Sequence, residues 1–436
     1  MTVDARYRKL PPGPRAPLPV QTLLYGNFRH VLMPILRRRY GDIIHLRLYP
    51  ERDVIQLANI EDIKQVFGGP AKVFHAGEGN QVLKPVMGER SVLLTDEDVH
   101  HRARRLLVPA FSGSALRGYR DMITKLTERE VRRWPAGRVF PAAERMRVLT
   151  LEIILRVVFG VTEGPRLDEL RRRLVRMVDI GVLDIFGWHN ERLRRHGRWR
   201  RAHENQLAVD ELIRAEIAGR RRAVDLADRS DVLSRLLSVT VEHDPLTDDE
   251  LRDQLVTLLL AGHETTATAL AWSFHELSRD PVTLGAATRA ADEGDEKYLE
   301  AVVKEALRLR PVVPEVARKL TEETEIGGFR LPAGFVVMPS IVMVHADSRH
   351  YPDPSRFRPE RFLDGGPEPG AWFPFGGGVR RCLGAGFSLL EATTVLREVL
   401  SRYRLSPERA RPERPRPRNI TVVPGRGARI SVTPRR

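Results

Sequence analysis

The chain has 436 residues, 42% hydrophobic and 30% charged, which excludes the disordered, collagen-like and membrane-embedded classes and leaves room for one large domain that encloses a cofactor. With 72 basic and 57 acidic residues its formal charge is +15, which favours acidic partners (nucleic acid, an anionic membrane surface, an acidic protein) and says nothing about fold. A single cysteine, Cys382, excludes an intrachain disulfide and a cysteine-based zinc cluster and fits a reducing compartment.

Residues Met1 to Leu10 hold neither an apolar core nor a cleavage pattern, and no apolar run reaches spanning length, so a cytoplasmic protein is expected. Leu10-Pro11-Pro12-Gly13-Pro14 is too proline-rich for helix or ladder, and residues 1–26 read as a stiff lead-in to a domain over 27–436. Helical spacing follows over Phe28–Tyr40, then two strands, Ile43–Leu48 and Val54–Leu57, around a turn at Pro50 to Asp53. From Asp98 to Leu237 apolar residues recur every three or four positions, with breaks at Pro109, Pro135, Gly160, Pro165, Gly187 and Gly197. Thr247-Asp248-Asp249-Glu250 carries cap signals and opens a helix predicted to run to Asp280, about 45 Å at the standard rise. Tyr298–Arg310 is a further helix, stopped by Pro311. Short strands are expected around Ile326–Val337 and Ile341–Val344, an irregular stretch over Tyr351–Pro374, a helix over Cys382–Arg404, and strands at Ile420–Val423 and Ile430–Val432. There is no repeat and no flexible linker. The fold class is mainly α with minor β.

The most informative window is Phe375-Gly376-Gly377-Gly378-Val379-Arg380-Arg381-Cys382-Leu383-Gly384. A lone cysteine is more often an inert buried residue than a ligand. Here three glycines permit a tight hairpin, two arginines make the loop electropositive, and the cysteine sits at the predicted start of a helix, whose backbone N–H groups stabilise a thiolate. Such a thiolate suits iron, with Phe375 covering the sulfur. The window resembles the haem-binding loop of the cytochrome P450 family, Phe-x-x-Gly-x-Arg-x-Cys-x-Gly, with Phe375, Gly378, Arg380, Cys382 and Gly384 in every fixed position. The resemblance implies the P450 fold, a single large helical domain with a small sheet built from N-terminal and C-terminal strands, and haem b with Cys382 as its axial thiolate.

A second window, Ala261-Gly262-His263-Glu264-Thr265-Thr266, lies inside the long helix after the apolar run Leu255 to Leu260. A glycine inside a helix weakens it, and an acid and a hydroxyl carried into an interior are expensive unless used. The glycine reads as a place where something flat approaches the backbone. The window resembles the oxygen-activating segment of the P450 central helix, which implies Glu264 as acid and Thr265 as alcohol in proton delivery, with Ala261 beside the cofactor. Family members that rearrange or consume peroxides often lack this pair.

Glu305 and Arg308 lie three apart on one helical face, an arrangement that is ordinary on surfaces. With Pro359-Glu360-Arg361-Phe362 in the expected place they resemble the family's Glu-Arg-Arg network, which implies that Glu305, Arg308 and Arg361 brace the core beneath the cysteine loop. The stretch around His100 and Arg104 resembles the helix that reaches the haem propionates, and Arg318 and Arg380 complete that implied set. Spacing to Arg104 favours His100 over His101 as the inward residue.

His263-Glu264 and His275-Glu276 begin like a zinc protease helix, but neither has the second histidine, and the glycines match neither a phosphate loop nor a dinucleotide fingerprint. The basic stretch Glu191–Arg201 has the composition of a nucleic-acid contact, but no nucleic-acid partner is expected, and it reads as a solvated helix start or as an attractor for an acidic or membrane-dissolved substrate. The family resemblance implies a monooxygenase that inserts one oxygen atom into a hydrophobic small molecule, as a monomer without a transmembrane segment. With no reductase domain following the cysteine helix, ferredoxin and ferredoxin reductase are the implied electron donors, and a +15 surface attracts an acidic ferredoxin in a salt-sensitive way. The substrate-facing positions it implies are Val73–Leu93, Ile180–Trp188, Leu258–Ala261 and Val312–Val316. Two competing readings are a peroxide-driven or isomerising haem-thiolate enzyme and a non-catalytic haem protein.

Overall fold

The computed structural model describes residues 10–160, 164–178, 192–239, 244–363, 365–418 and 420–435. Ile180–Trp188 and Glu191 therefore lie outside the described residues. The helices of nine residues or more among those described are α1 (Leu18–Tyr40), α2 (Ile60–Gly68), α3 (Glu97–Leu107), α4 (Gly113–Val131), α5 (Ala142–Phe159), α6 (Pro165–Val178), α7 (Gly197–Arg221), α8 (Asp248–Arg279), α9 (Pro281–Glu293), α10 (Glu296–Leu309) and α11 (Ala385–Leu400). The strands are β1 (Ile43–Leu48), β2 (Arg52–Leu57), β3 (Phe74–His75), β4 (Val139–Pro141), β5 (Arg318–Leu320), β6 (Thr324–Ile326), β7 (Phe329–Leu331), β8 (Val336–Pro339), β9 (Tyr403–Pro407), β10 (Pro415–Arg418), β11 (Thr421–Pro424) and β12 (Arg429–Pro434).

Helix α8 is the axis of the molecule. Thr247 accepts the Glu250 amide while the Glu250 carboxylate takes the Thr247 amide, a reciprocal cap that fixes the start of the helix. Over its 32 residues nearly every position is buried, because α5, α10 and α11 pack around it in the main hydrophobic cluster. The sheet region lies apart, with a five-stranded sheet in the order β1-β2-β8-β5-β3 over its own apolar cluster. A three-stranded sheet, β4-β12-β9, ties the chain end to the start of α5, and β6-β7 and β10-β11 are hairpins.

Three local expectations change and one strand is added. Helix α1 starts at Leu18, ten residues before Phe28, because a proline in the first helical turn costs no hydrogen bond; the backbone leaves helical geometry at Phe28 itself. Ile341–His345 is a short helix and not a strand; an apolar run of that length fits either by composition, and here the Val344 amide turns back to Ser340. The helix expected from Cys382 to Arg404 spans only Ala385–Leu400, so Cys382 stands in the loop ahead of it and Tyr403 opens β9. Strand β10 contains Pro415 and Pro417, which are tolerated in a two-stranded hairpin. No described helix is long and apolar enough to cross a membrane.

Candidate active site

The cysteine loop is shaped by close backbone approach. Gly378 adopts φ +63°, and a Cβ there would stand 1.9 Å from the Phe67 carbonyl oxygen, so only glycine fits. The Cys382 amide donates to the Phe375 carbonyl at 2.9 Å, closing the hairpin, and Phe375 meets Trp372 edge-on at 5.9 Å. Gly384 caps α11 and contributes a backbone hydrogen bond to the sulfur. Cys382 is accessible on an inner surface yet surrounded by protein, so burial pushes its thiol up, while Gly384, Arg104 and Arg381 pull it down. Of the two loop arginines it is thus Arg381 that favours the thiolate. Arg380 turns away, donating to the carbonyls of Val92 at 3.2 Å and Thr95 at 2.5 Å and to the Asp96 carboxylate.

Beside the loop, buried cations gather. His100 is buried and His101 exposed. Burial, then Arg380, Arg104 and Arg318, pushes the His100 pKa down to about 3, so its ring is neutral. Arg318 is lowered to about 10 by burial and by Arg380, and Arg380 to about 10 by burial, against the pull of Asp96. Arg104 is also lowered, first by burial, with Cys382 acting to raise it. Three guanidiniums thus gather beside a neutral histidine, and Asp96, which pairs with Arg380 and draws Arg318, also accepts the amides of Gly77 and Glu78. Such a surplus of buried positive charge calls for an anion bearing more than one negative charge.

On α8 the run of burial breaks only at Leu260, Ala261, Gly262 and Thr265 between its two ends. Ala261 and Thr265 are one turn apart on that face, and the Thr265 hydroxyl donates to the Ala261 carbonyl at 2.6 Å. The next residue, Thr266, meets Ser388 of α11 at 3.2 Å, fastening the helix to the one that follows the cysteine. Gly262 also has a packing role. A Cβ there would lie 2.9 Å from Ile154 Cδ1 of α5, so the glycine allows two helices to close on each other, and the Thr150 hydroxyl of α5 bonds the neighbouring His263 carbonyl at 2.9 Å. Glu264 is buried and takes Nη1 of Arg418 on β10 at 2.9 Å. No sequence pattern pointed to Arg418, which is 154 positions away.

Glu305, Arg308 and Arg361 are brought together in the interior. Arg308 makes a two-pronged bond to Glu305 at 2.7 and 2.8 Å, Arg361 Nε reaches the same carboxylate at 3.3 Å, and the Arg358 amide does so at 2.9 Å. Arg308 also spans the carbonyls of His345 and Pro354, and Arg361 that of Asp353, so this triad holds the irregular stretch ahead of the cysteine loop.

Within Val73–Leu93, expected to face substrate, residues 90–92 are bound to α8. The Arg90 amide donates to Asp253 at 2.9 Å, the Val92 amide to Gln254 at 2.9 Å, and the Ser91 hydroxyl meets Thr257 at 2.7 Å. Of the other positions expected to face substrate, Leu258 and Val312 are buried and apolar and Ala261 is exposed on the inner face. In the basic stretch Arg195, Arg200 and Arg201 are exposed, as a solvated helix start requires.

This donor set fits haem b. Cys382 supplies the axial sulfur, the cluster of His100, Arg104, Arg318 and Arg380 matches two carboxylates, and the bare face of Ala261 and Thr265 leaves room for a flat ring. The comparisons agree. A family model described as Cytochrome P450 matches residues 11–431. A protein of Mycobacterium tuberculosis provisionally named cytochrome P450 135A1 is 47% identical over 98% of this chain and 96% of its own. One of Mycobacterium bovis, provisionally named cytochrome P450 135B1, is 44% identical over 97% and 91%. A solved cyanobacterial structure, retinoic acid bound CYP120A1, superposes with a TM-score of 0.84 over 98% of this chain and 99% of that one, at 22% identity, a likeness of fold alone. With its motifs, its fold and these relatives in agreement, the chain belongs to the cytochrome P450 family, monooxygenases whose haem iron is ligated by a cysteine thiolate, here that of Cys382.

Proposed function

We propose that this enzyme inserts one oxygen atom of dioxygen into a hydrophobic small molecule, by hydroxylation or epoxidation, with electrons from a ferredoxin and its reductase. The observation that carries this reading is the placement of Thr265 on the bare inner face of α8 beside Glu264. Bound haem supplies the centre at which dioxygen is reduced. Thr265 holds a proton at Oγ1, shared with the Ala261 carbonyl, in position to give it inward, and Glu264, held by Arg418, is the acid that replenishes it. Cys382, the neutral His100 and the cations at Arg104, Arg318 and Arg380 hold and orient the cofactor, Phe375 covers the loop, and Glu305, Arg308 and Arg361 brace it. The apolar residues at Leu258 and Val312 favour a hydrophobic substrate, and the +15 charge, with Arg381 exposed beside the cysteine, favours an acidic donor. Residues 27–436 act in this reading as one haem domain in the cytoplasm.

The test is turnover with reduced ferredoxin. Thr265→Ala and Glu264→Gln are each expected to lower product formation on the order of 10²-fold while dioxygen consumption continues and peroxide accumulates. Coupling equal to the parent's in both variants, or full turnover with peroxide and no ferredoxin, speaks for the peroxide-driven alternative.

A further inference from the structure

Helix α1 presents its apolar residues outward. Of nineteen large hydrophobic side chains exposed among the described residues, six lie on this one helix: Val20, Leu23, Leu24, Phe28, Val31 and Ile35. Leu23 is 65% exposed, Phe28 and Ile35 56% each, values at which a side chain contributes nothing to the core. Val20, Leu23 and Leu24 share one face before the break at Phe28, and Val31 and Ile35 share one after it. The exposed Tyr49 belongs to the same patch, because its amide bonds the Thr22 hydroxyl at 3.0 Å.

The opposite side of α1 is firmly fixed, so the outward face is not a consequence of loose docking. Gln21 bonds the carbonyls of Pro14 and Ala16 and accepts the Arg47 amide, Arg29 pairs with Glu315 at 3.0 Å, and Arg37 pairs with Asp42 at 2.7 Å and with Asp347. Met33 and Leu36 are buried beneath it.

Charge identifies the occupant. From residue 5 to residue 41 the sequence contains eight Arg or Lys and no Asp or Glu. Arg15 at one end of the patch, Arg38 and Arg39 at the other and Arg47 alongside are all exposed. An acidic soluble protein satisfies the arginines and leaves the apolar face in water. A second copy of this chain covers the apolar face and sets arginines against arginines. A bilayer containing anionic lipid satisfies both, taking the apolar side chains below its headgroups and the guanidiniums at its phosphates. We propose that α1, two helical pieces joined at the break at Phe28, lies flat on an anionic lipid surface and docks the enzyme there without crossing it.

The test uses haem-loaded protein and vesicles of phosphatidylcholine, alone or mixed with equal phosphatidylglycerol, separated by sedimentation. The expected result is binding to the anionic vesicles only, weakening with salt. A Leu23→Gln/Phe28→Gln/Ile35→Gln variant, its haem spectrum unchanged, should lose binding by on the order of tenfold or more. Arg38→Gln/Arg39→Gln should weaken binding and flatten its salt dependence. Failure to bind anionic vesicles at low ionic strength overturns the proposal. So does binding by the apolar triple variant equal to the parent's, which assigns adsorption to the overall +15 charge. A dimer in sedimentation equilibrium that the triple variant abolishes, without lipid binding by the parent, assigns the face to a second copy.

Discussion

Arg418 of β10 reaches across to α8 and sets its Nη1 2.9 Å from Oε1 of Glu264, with only 19% and 8% of the two side chains exposed. The acid beside Thr265 is thus held by a strand from the far end of the chain. A largely buried pair is costly to split, because the partner left behind keeps its charge without compensation. Arg418→Leu is expected to destabilise the haem-loaded protein by about 3 kcal/mol, and adding Glu264→Gln to recover most of that loss. Urea unfolding of the two single variants and the double variant measures the coupling. A coupling near zero means that the pair behaves like a surface contact.

Arg318 is the clearest handle on the cationic cluster, since its guanidinium donates to the carbonyl of its neighbour Ala317 at 2.8 Å and lies over the Phe67 ring at 5.8 Å. On the proposed function, Arg318→Leu removes one charge-assisted contact to a haem carboxylate. Transfer of haem to an excess of a competing apoprotein is expected to speed up on the order of tenfold to a hundredfold. An unchanged transfer rate places the carboxylates elsewhere.

Gly262 gives a prediction that changes sign with background. In the parent, Gly262→Ala drives a methyl to 2.9 Å from Ile154 Cδ1 and should destabilise by about 1–2 kcal/mol, the overpacking cost outweighing the helix gain. With Ile154→Ala both close atoms are removed, leaving Cβ at 3.8 Å, and the same substitution should stabilise by up to about 1 kcal/mol. Thermal unfolding of the four proteins decides it, and equal effects in both backgrounds would rule out the packing role.

His345 makes stability depend on acid. Its Nε2 accepts the Phe373 amide at 3.2 Å, which requires a neutral ring, and burial followed by the Arg308 charge holds its pKa down to about 3. The unfolded ring titrates near pH 6.5, so as pH falls the unfolded chain takes up the proton first. The stabilising contribution is complete above about pH 6.5 and is lost between there and about pH 3, at up to about 1.4 kcal/mol per pH unit. His263, lowered to about 4 by burial, acts in the same direction. His345→Gln, which keeps an acceptor for Phe373, should flatten the fall in urea midpoint between pH 6.5 and 5 by roughly one proton's worth.

What could be read before the fold was known depended on how far apart the cooperating residues lie. The cysteine loop is contiguous, so Phe375 through Gly384 could be named together, and the cap at Thr247 located α8 almost to the residue. Four apolar residues at 341–344 carried no period long enough to separate helix from strand. Prolines at 415 and 417 hid β10, and with it Arg418, whose partner is set by tertiary packing alone. The outward apolar face of α1 was equally hidden, since spacing defines a face and only packing decides whether the core takes it.

The bonds from residues 90–92 to Asp253, Gln254 and Thr257 join this segment, which on the proposed function lines the substrate chamber, to the same helix that carries Glu264 and Thr265. What the enzyme accepts and how efficiently it uses dioxygen are therefore not independent properties of this scaffold. Directed evolution through positions 90–92 pulls on α8 and carries a cost in coupling. Changes around Val312, on a separate segment beyond α10, leave those bonds intact and offer the freer route to a new substrate.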